Sequence, residues 1–194
     1  FKSDFLRWHL LSEQGGMWSD MDILYFNPLN TLSFNLEKNK NIDTIISTTE
    51  NTEFPTSFFH SIGFLMSSSN NPYYTYISQL AHAKKLNFSN YQDAGSAILN
   101  GEFLSTKDVQ KKFPMLNIHN LPFGTLYTAY QHISEIFRPN DINIFAPYAV
   151  GIHWYAGHPL AEEFINKINH TNYLEYEDTL LGMLIKSILY GQKL

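Results

Sequence analysis

Segments with the apolar pattern of β-strands alternate along this chain with segments of helical pattern, and this alternation limits the fold more than any other feature. Short apolar runs predict strands over residues 17–19, 23–26, 44–48 and 61–67, with further strand material in 142–152. Other segments predict helices over residues 3–14, 73–84, 94–99, 159–168 and 174–190. Since 194 residues support one substantial core, the prediction is a single α/β domain over residues 1–194.

The first predicted helix carries signals at both of its ends. Ser3 is the predicted N-cap, with Asp4 in the first turn. Gly15 and Gly16 are expected to end the helix, because glycine adopts the left-handed conformation at little steric cost. Apolar side chains surround most of this helix, which predicts that it is buried: Phe5, Leu6, Trp8, Leu10 and Leu11.

Charge and composition exclude several classes of partner. The chain has 13 Lys and Arg against 18 Asp and Glu and no basic run, so neither nucleic acid nor an anionic membrane surface is an expected partner. No apolar stretch approaches the roughly 18 residues of a membrane span. The absence of Cys excludes disulfides but leaves the compartment open, whether cytoplasm or Golgi lumen. The chain opens on Phe1 in what reads as the middle of a domain, so we expect a fragment.

Asp20 and Asp22 are the first candidate site residues, because a single residue separates them after a predicted strand. On an extended backbone, side chains at positions i and i+2 point to the same face, so the two carboxylates converge. Hard oxygen ligands suit Mg²⁺ or Mn²⁺, and such ions commonly complete their coordination with phosphate oxygens and water. Because Asp-x-Asp is a short pattern, the alternative interpretation is a solvated turn at the end of a strand.

Asp4 and Arg7 are one helical turn apart on a helix that is otherwise nearly all apolar. Burying charge there is costly unless the charge is paired or recruited by a ligand. One interpretation is that the two side chains simply satisfy each other. The other is that Asp4 accepts from a sugar hydroxyl while Arg7 reaches the sugar or phosphate of a donor, a task that suits the planar guanidinium.

These residues belong to a longer compound pattern within residues 3–29. Its members are Ser3, Asp4, Arg7, Gly15, Gly16, Trp18, Asp20, Asp22, Pro28 and Leu29. The pattern resembles, position by position and without a gap, the DXD-containing sugar-binding region of glycosyltransferase family 32. That family includes initiating mannosyltransferases, capsular polysaccharide transferases and the glucosylating domains of large clostridial toxins.

The resemblance implies a GT-A (Rossmann-like) nucleotide-diphospho-sugar transferase fold, here lacking its N-terminal βαβ part, with a nucleotide-sugar donor, Mn²⁺ or Mg²⁺, and retention of anomeric configuration. It also implies that Asp22 ligates the metal directly, while Asp20 contacts the donor's ribose or sugar and helps hold the metal. Asp4 and Arg7 would bind the transferred sugar, so that Asp20, Asp22 and Arg7 form the catalytic set. Trp18 would pack at the donor site, where most relatives carry Tyr; the ring is kept but the hydroxyl is lost.

Two later segments resemble the same family more loosely. Residues 92–96 lie where relatives often have a Thr-Gly-Pro turn bordering the sugar site, which implies donor-binding roles for Gly95 and Ser96. Within that segment, Asp93 is predicted either to contact donor or acceptor or, as the favoured interpretation, to cap a helix.

Residues 151–159 resemble the family's C-terminal HHxxGSW-type segment, with His153 at the position of the first His. Trp154, His158 and Pro159 depart from that pattern. His153 on an extended segment is a candidate third metal ligand, or a donor to a phosphate oxygen. The alternative is a buried structural histidine beside aromatic rings.

The expected function is therefore a metal-dependent retaining glycosyltransferase that moves a hexose from a UDP- or GDP-sugar to a glycan, lipid-linked or protein acceptor. One alternative is an inactive or partner-dependent remnant of such an enzyme. Another is a Mg²⁺-dependent phosphatase of the haloacid dehalogenase class, which also uses Asp-x-Asp. That class has an unbroken apolar run before the pair and Thr or Val two places after it, whereas here Gly15 and Gly16 intrude and Leu24 occupies the later position.

Overall fold

The computed structural model describes residues 1–29, 32, 43–50, 58–129, 132–139, 145–169 and 171–191. The first of two compact units comprises the described residues within Phe1–Asp20 and Leu36–Phe123, and the second those within Met21–Asn35 and Gly124–Leu194. The prediction of a single domain over residues 1–194 stays a prediction. Part of the strand material predicted in 142–152 lies outside the described residues.

Helices and strands are intermixed along the described residues, which confirms the predicted α/β class. The strands are β1 (Gly16–Ser19), β2 (Ile23–Tyr25), β3 (Thr44–Thr48), β4 (His60–Ser67), β5 (Ile118–Leu121) and β6 (Gly151–His153). The α-helices are α1 (Lys2–Glu13), α2 (Pro72–Ala83), α3 (Ser96–Glu102), α4 (Thr106–Lys112), α5 (Ile133–Ile136), α6 (Pro159–Lys167) and α7 (Leu180–Tyr190). Within these described stretches, no helix combines the length and apolar character that crossing a bilayer requires.

The first unit is built on a mixed four-stranded sheet with the order β1-β4-β3-β5. Strand β4 pairs antiparallel with both β1 and β3, whereas β5 pairs parallel with β3. Every residue of β3 is buried, as expected for an interior strand rich in β-branched residues. Helices α1 and α2 pack together, and the core of the unit contains Trp8, Leu11, Ile46, Leu65, Tyr73, Tyr74, Ile77, Ala81, Ile98, Leu99, Phe103 and Val109.

Helix α1 begins one residue before Ser3, and no side chain caps its N-terminus. The prediction that Ser3 is the N-cap is wrong, because Ser3 already lies in the first helical turn. The predicted burial of this helix is correct for Trp8 and Leu11, but Leu6 is 51% exposed. Helix α1 therefore buries one face and leaves the other in water.

Gly15 ends the polypeptide's first helix as the sequence predicts. Its φ of +71° lies in the left-handed region, where glycine carries no Cβ penalty. A Cβ at this position would also lie 2.5 Å from the backbone of Ser68. Conformation and space thus both require glycine, and the turn delivers the chain directly into β1.

The second unit contains a two-stranded antiparallel ribbon, β2 with β6, in which Ile23 lies opposite His153. This register places Asp22, the residue before β2, beside the end of β6. The ribbon, α5, α6 and α7 contribute to a core of buried residues: Ala129, Ile136, Ile152, Phe164, Leu180, Leu181 and Leu184.

The starts of two later helices differ from the prediction by two or more residues. The last helix starts at Leu180, not at residue 174, because Thr179 caps it by accepting the N–H of Gly182 at 3.0 Å. Residues Tyr173–Tyr176 form a separate 3₁₀ helix. Helix α3 likewise starts at Ser96 rather than residue 94. Helix α4 and strand β5 were absent from the prediction, since both are short and their sequences carry little periodicity.

His60, the first residue of β4, is almost completely buried, with 1% exposure. Both of its ring nitrogens lack a hydrogen-bond partner within the part of the chain that the structure describes. Its ring lies near two aromatic rings, Phe58 with ring centroids 4.7 Å apart and Phe103 at 6.3 Å. Burial lowers the pKa of His60 from 6.5 to about 4, because an imidazolium here would lose its hydration and gain no acceptor.

We expect this histidine to lower the free energy of unfolding by about 3 kcal/mol as the pH falls from about 6.5 to about 4. In that window the unfolded chain binds a proton at His60 that the folded chain does not bind, so folding is disfavoured. Above pH 6.5 the His60 imidazole is neutral in both the folded and the unfolded chain, so it contributes no pH dependence there. Urea unfolding of wild type and His60→Leu at a series of pH values isolates this contribution. The exposed-site control His82→Leu should keep the wild-type pH dependence; a His60→Leu variant that also keeps it would contradict the prediction.

Candidate functional site

Asp20 and Asp22 lie in the turn that joins β1 to β2, so the prediction that they occupy extended backbone is wrong. The chain turns there because β1 ends at Ser19, although the Asp20 amide still donates to the carbonyl of Gly63 at 2.7 Å. Met21 between them is fully exposed, whereas the side chains of Asp20 and Asp22 are 28% and 19% exposed. Covalent connection through one residue, and not strand alternation, keeps the two carboxylates close together.

In the first unit, Arg7 pairs with two carboxylates. Its Nη1 donates to Oδ1 of Asp4 at 3.1 Å, and its Nη2 donates to Oδ1 of Asp20 at 2.8 Å. Arg7 is only 3% exposed, and its planar fork can serve both acceptors at once. The pairing expected from the one-turn spacing of Asp4 and Arg7 is therefore present. Arg7 in addition fixes Asp20, which the sequence did not predict.

Trp18, in β1, completes this group. Its indole Nε1 donates to the same Oδ1 of Asp20 at 2.7 Å, and the Arg7 guanidinium lies 4.8 Å from the centre of its ring. A cation over an indole face is attracted by the ring quadrupole. The indole N–H thus provides a hydrogen-bond donor at the position where the resemblance implied a lost hydroxyl. We call Asp4, Arg7, Trp18 and Asp20 the Asp20 cluster.

Gly95 packs directly against the Asp20 cluster. A Cβ at this position would lie 3.1 Å from Oδ1 of Asp4 and 2.7 Å from Cδ1 of Ile62. Ser96 follows it, but this buried side chain donates to Oε1 of Gln92 at 2.9 Å. The structure thus brings Gly95 to the predicted donor-binding residues, while the Ser96 hydroxyl is engaged within its own loop. Donor binding by either residue stays a prediction.

Asp93 does not cap α3, so the favoured prediction for this residue is wrong. Gly95 holds the N-cap position, and no side chain caps the helix. The Asp93 carboxylate instead accepts the N–H of Asn87 and the ammonium of Lys84, each at 2.7 Å. The Asn87 hydrogen bond first, and Lys84 second, lower the pKa of Asp93. The residue therefore stabilises the loop that precedes α3.

In the second unit, a short segment at the end of β6 surrounds Asp22. Nε2 of His153 lies 3.1 Å from Oδ1 of Asp22, and the backbone N–H of Ala156 donates to Oδ2 at 2.9 Å. The N–H of Trp154 donates to the main-chain carbonyl of Asp22 at 3.0 Å. Both carboxylate oxygens of Asp22 are therefore engaged. We call Asp22, His153 and Ala156 the Asp22 cluster.

The surroundings of Asp22 favour its ionised form. Partial burial raises the pKa of Asp22, but the hydrogen bond and charge of His153 and the amide of Ala156 outweigh that effect. The net result is a pKa below the ordinary value of 3.8. Asp22 is thus a carboxylate at neutral pH, which is the form that ligates a cation.

His153 has an aromatic environment. Its ring meets the ring of Tyr155 edge-on with centroids 4.2 Å apart, and the ring of Tyr127 lies at 5.5 Å. Nδ1 is buried without a hydrogen-bond partner among the described residues, so the polar contact of the ring with Asp22 is made through Nε2. Both sequence-based interpretations thus hold in part: His153 sits beside aromatic rings and also points at the candidate metal ligand.

The side chains present fit a divalent cation. Within the second unit, Asp22 and His153 offer a carboxylate and an imidazole, ligand types that could hold a metal ion. That Asp20 helps to hold the metal stays a prediction. The 3.1 Å between Nε2 of His153 and Oδ1 of Asp22 suits two neighbouring ligands of one octahedral ion, for which bonds of about 2.1 Å give a separation of about 3 Å. Whether the ion is Mn²⁺ or Mg²⁺ stays a prediction.

The sequence analysis did not predict two groups that contact the Asp22 cluster residues: the amide of Ala156, which bonds to Asp22, and the ring of Tyr155, which packs against His153. A backbone N–H leaves no signature in residue identity, and neither residue belongs to the compound pattern of residues 3–29. No protein-family model, curated protein or solved structure matches this chain. The likeness to glycosyltransferase family 32 therefore remains a resemblance carried by those residues.

Proposed function

We propose that the chain is the catalytic part of a metal-dependent retaining glycosyltransferase that moves a hexose from a UDP- or GDP-sugar to a glycan, lipid-linked or protein acceptor. One observation carries the proposal: each carboxylate of the Asp-x-Asp pair is held by two neighbouring groups. Asp20 accepts from Arg7 and Trp18, and Asp22 is held by His153 and Ala156. The carboxylates of a merely solvated turn would be free to rotate, so the alternative interpretation of the pair is disfavoured.

The electrostatics of the pair favour a cation as the link to substrate. Two adjacent carboxylates would repel a nucleoside diphosphate, and the pair therefore needs a counter-charge to bind one. A bound divalent cation would neutralise the charge that grows on the leaving diphosphate. The chain's own part is to hold Asp20 within the first unit, and Asp22 with His153 within the second, so that each side chain need not reorganise when substrate arrives.

Arg7 acts in this proposal as a positioning residue. Its guanidinium is almost fully buried, and both terminal nitrogens already donate to carboxylates. This differs from the hypothesis that Arg7 reaches the sugar or phosphate of the donor. Asp4 is likewise occupied by a contact within the cluster, since its Oδ1 accepts a hydrogen bond from Arg7. The two residues thus serve to orient Asp20, and Asp20 faces the ligand.

The GT-A fold is also part of the proposal. It is supported by the mixed sheet of the first unit, by the helices packed with it, and by the position of the acidic pair directly after β1. Strand ends are common places for ligand-binding side chains, because the loops that follow them are free to adapt to a substrate.

Donor turnover tests the proposal. The protein is incubated with Mn²⁺ and a panel of UDP- and GDP-sugars, and release of the nucleoside diphosphate is measured. We expect slow hydrolysis of at least one donor, abolished by chelation and by Asp22→Ala but retained in the exposed-site control Asp178→Ala. No binding or turnover of any donor, or equal turnover in the two variants, would contradict the proposal. Turnover of an aryl phosphate instead would favour the haloacid dehalogenase alternative.

A further inference from the structure

Tyr155 has a backbone φ of +56°, in the left-handed region. Asn70 is the other non-glycine residue with positive φ in the part of the chain that the structure describes. Asparagine visits this region readily because its short polar side chain can bond locally, but a bulky aromatic residue pays a steric cost. Backbone strain of this kind persists where the surrounding structure imposes it, and such sites are often functional. Here the strained residue lies within the segment that surrounds Asp22.

The strained turn changes where the Ala156 amide points. Trp154 pairs with Asp22 through its main-chain N–H, continuing the antiparallel ladder in which His153 faces Ile23. If residues 155 and 156 stayed extended, the antiparallel register would place the Ala156 amide two residues beyond Asp22 along the partner strand, out of reach of its carboxylate. The positive φ at Tyr155 bends the chain back, and the Ala156 N–H reaches Oδ2 of Asp22 at 2.9 Å.

A ring contact accompanies this bend. The Tyr155 side chain meets the His153 ring edge-on at 4.2 Å, a favourable geometry for two aromatic rings. The same residue thus supports Asp22 in two ways. Its backbone delivers an amide to Oδ2, and its ring backs the imidazole that lies 3.1 Å from Oδ1.

We propose that Tyr155 is a positioning residue whose left-handed backbone fixes the orientation of the Asp22 carboxylate for a divalent cation. The part that concerns the cation rests on the proposed function. The part that concerns the orientation of Asp22 rests on the contacts within the second unit. The physical requirement is a backbone conformation, so residues that adopt positive φ should preserve it and residues that cannot should lose it.

Tyr155→Gly and Tyr155→Val separate the backbone from the ring. Both variants remove the ring, but glycine takes a φ of +56° without cost and β-branched valine is the poorest choice there. We expect Mn²⁺ affinity about 10–100-fold below wild type for Tyr155→Val, the usual effect of losing an outer partner of a metal ligand, and a clearly smaller loss for Tyr155→Gly. The half-exposed Tyr148→Val, in the same unit, is the matched control and should bind as wild type does.

Hydrogen exchange of the Ala156 amide in the metal-free protein gives a second readout that needs no cation. This amide should be protected in wild type and in Tyr155→Gly, and should exchange at least about tenfold faster in Tyr155→Val. If Tyr155→Val does not fold by circular dichroism, Tyr155→Ala replaces it, with an intermediate expected effect. Equal Ala156 exchange in the glycine variant and the valine or alanine variant overturns the positioning role. A third outcome separates the two proposals. If the exchange rates differ as expected but wild type does not bind Mn²⁺, the positioning role of Tyr155 is supported and the metal-dependent function is overturned.

Discussion

Asp22→Asn is expected to weaken Mn²⁺ binding by roughly 100-fold or more, because losing even an outer-shell partner of a metal ligand costs 10–100-fold. Asparagine keeps the shape of the side chain and can still accept the N–H of Ala156, but it removes the negative charge next to His153. Hard cations prefer charged oxygen ligands, so the loss should appear in affinity and not in folding. Titration calorimetry with Mn²⁺ measures it directly.

The matched control for this variant is Asp178→Asn, at an exposed carboxylate of the same unit. It should bind Mn²⁺ with wild-type affinity. Thermal unfolding of the metal-free proteins checks that Asp22→Asn remains folded. If the metal-free variant unfolds like wild type yet binds Mn²⁺ equally tightly, Asp22 is not a metal ligand.

Arg7→Met is expected to lower the free energy of unfolding by about 3–5 kcal/mol, the cost typical of removing one partner of a buried ion pair. Methionine replaces the aliphatic stem but leaves the carboxylates of Asp4 and Asp20 without their shared guanidinium. The side chains of Arg7 and Asp4 are only 4% and 9% exposed, so water compensates little. Urea unfolding at neutral pH gives the difference from wild type.

The same substitution at Arg138 provides the control. That side chain is 67% exposed and lies 3.8 Å from Glu135, and exposed pairs of this kind contribute at most about 1 kcal/mol. Adding Asp4→Asn to Arg7→Met should recover part of the lost stability, because it removes one of the two carboxylates that lose the guanidinium. Equal losses in Arg7→Met and Arg138→Met would show that the Asp20 cluster does not stabilise the first unit as the structure indicates.

Local spacing predicted one contact of the Asp20 cluster, the pairing of Asp4 with Arg7, as one of two interpretations. Asp4 and Arg7 are three residues apart on a helix, so helical periodicity alone brings them together. Glycine chemistry likewise predicted the turn at Gly15 that leads into β1. Both predictions depend on interactions within one or two turns of the chain, which residue identity controls directly.

Longer-range features could not be read in the same way. The hydrogen bond from Ala156 to Asp22 joins residues far apart in sequence, and it uses a backbone group that every residue except proline has. The expected role of Asp93 failed for a related reason. A carboxylate near a helix start predicts a cap. In the folded loop, however, the Asp93 carboxylate accepts hydrogen bonds from Lys84 and from the Asn87 amide instead of from the helix N-terminus.

Strand β5 pairs parallel with β3, so that Thr44 lies opposite Ile118. Pairing of β5 with β3 therefore closes a loop that contains the chain between those two residues, including β4 and helices α2 to α4. Closing a loop of that size has a large entropic cost that no local turn can reduce. We therefore expect β3 and β4, which are neighbours in sequence, to pair before β5 joins the sheet. A chain that ended before Ile118 would leave one edge of β3 unpaired and able to pair with strands of other molecules.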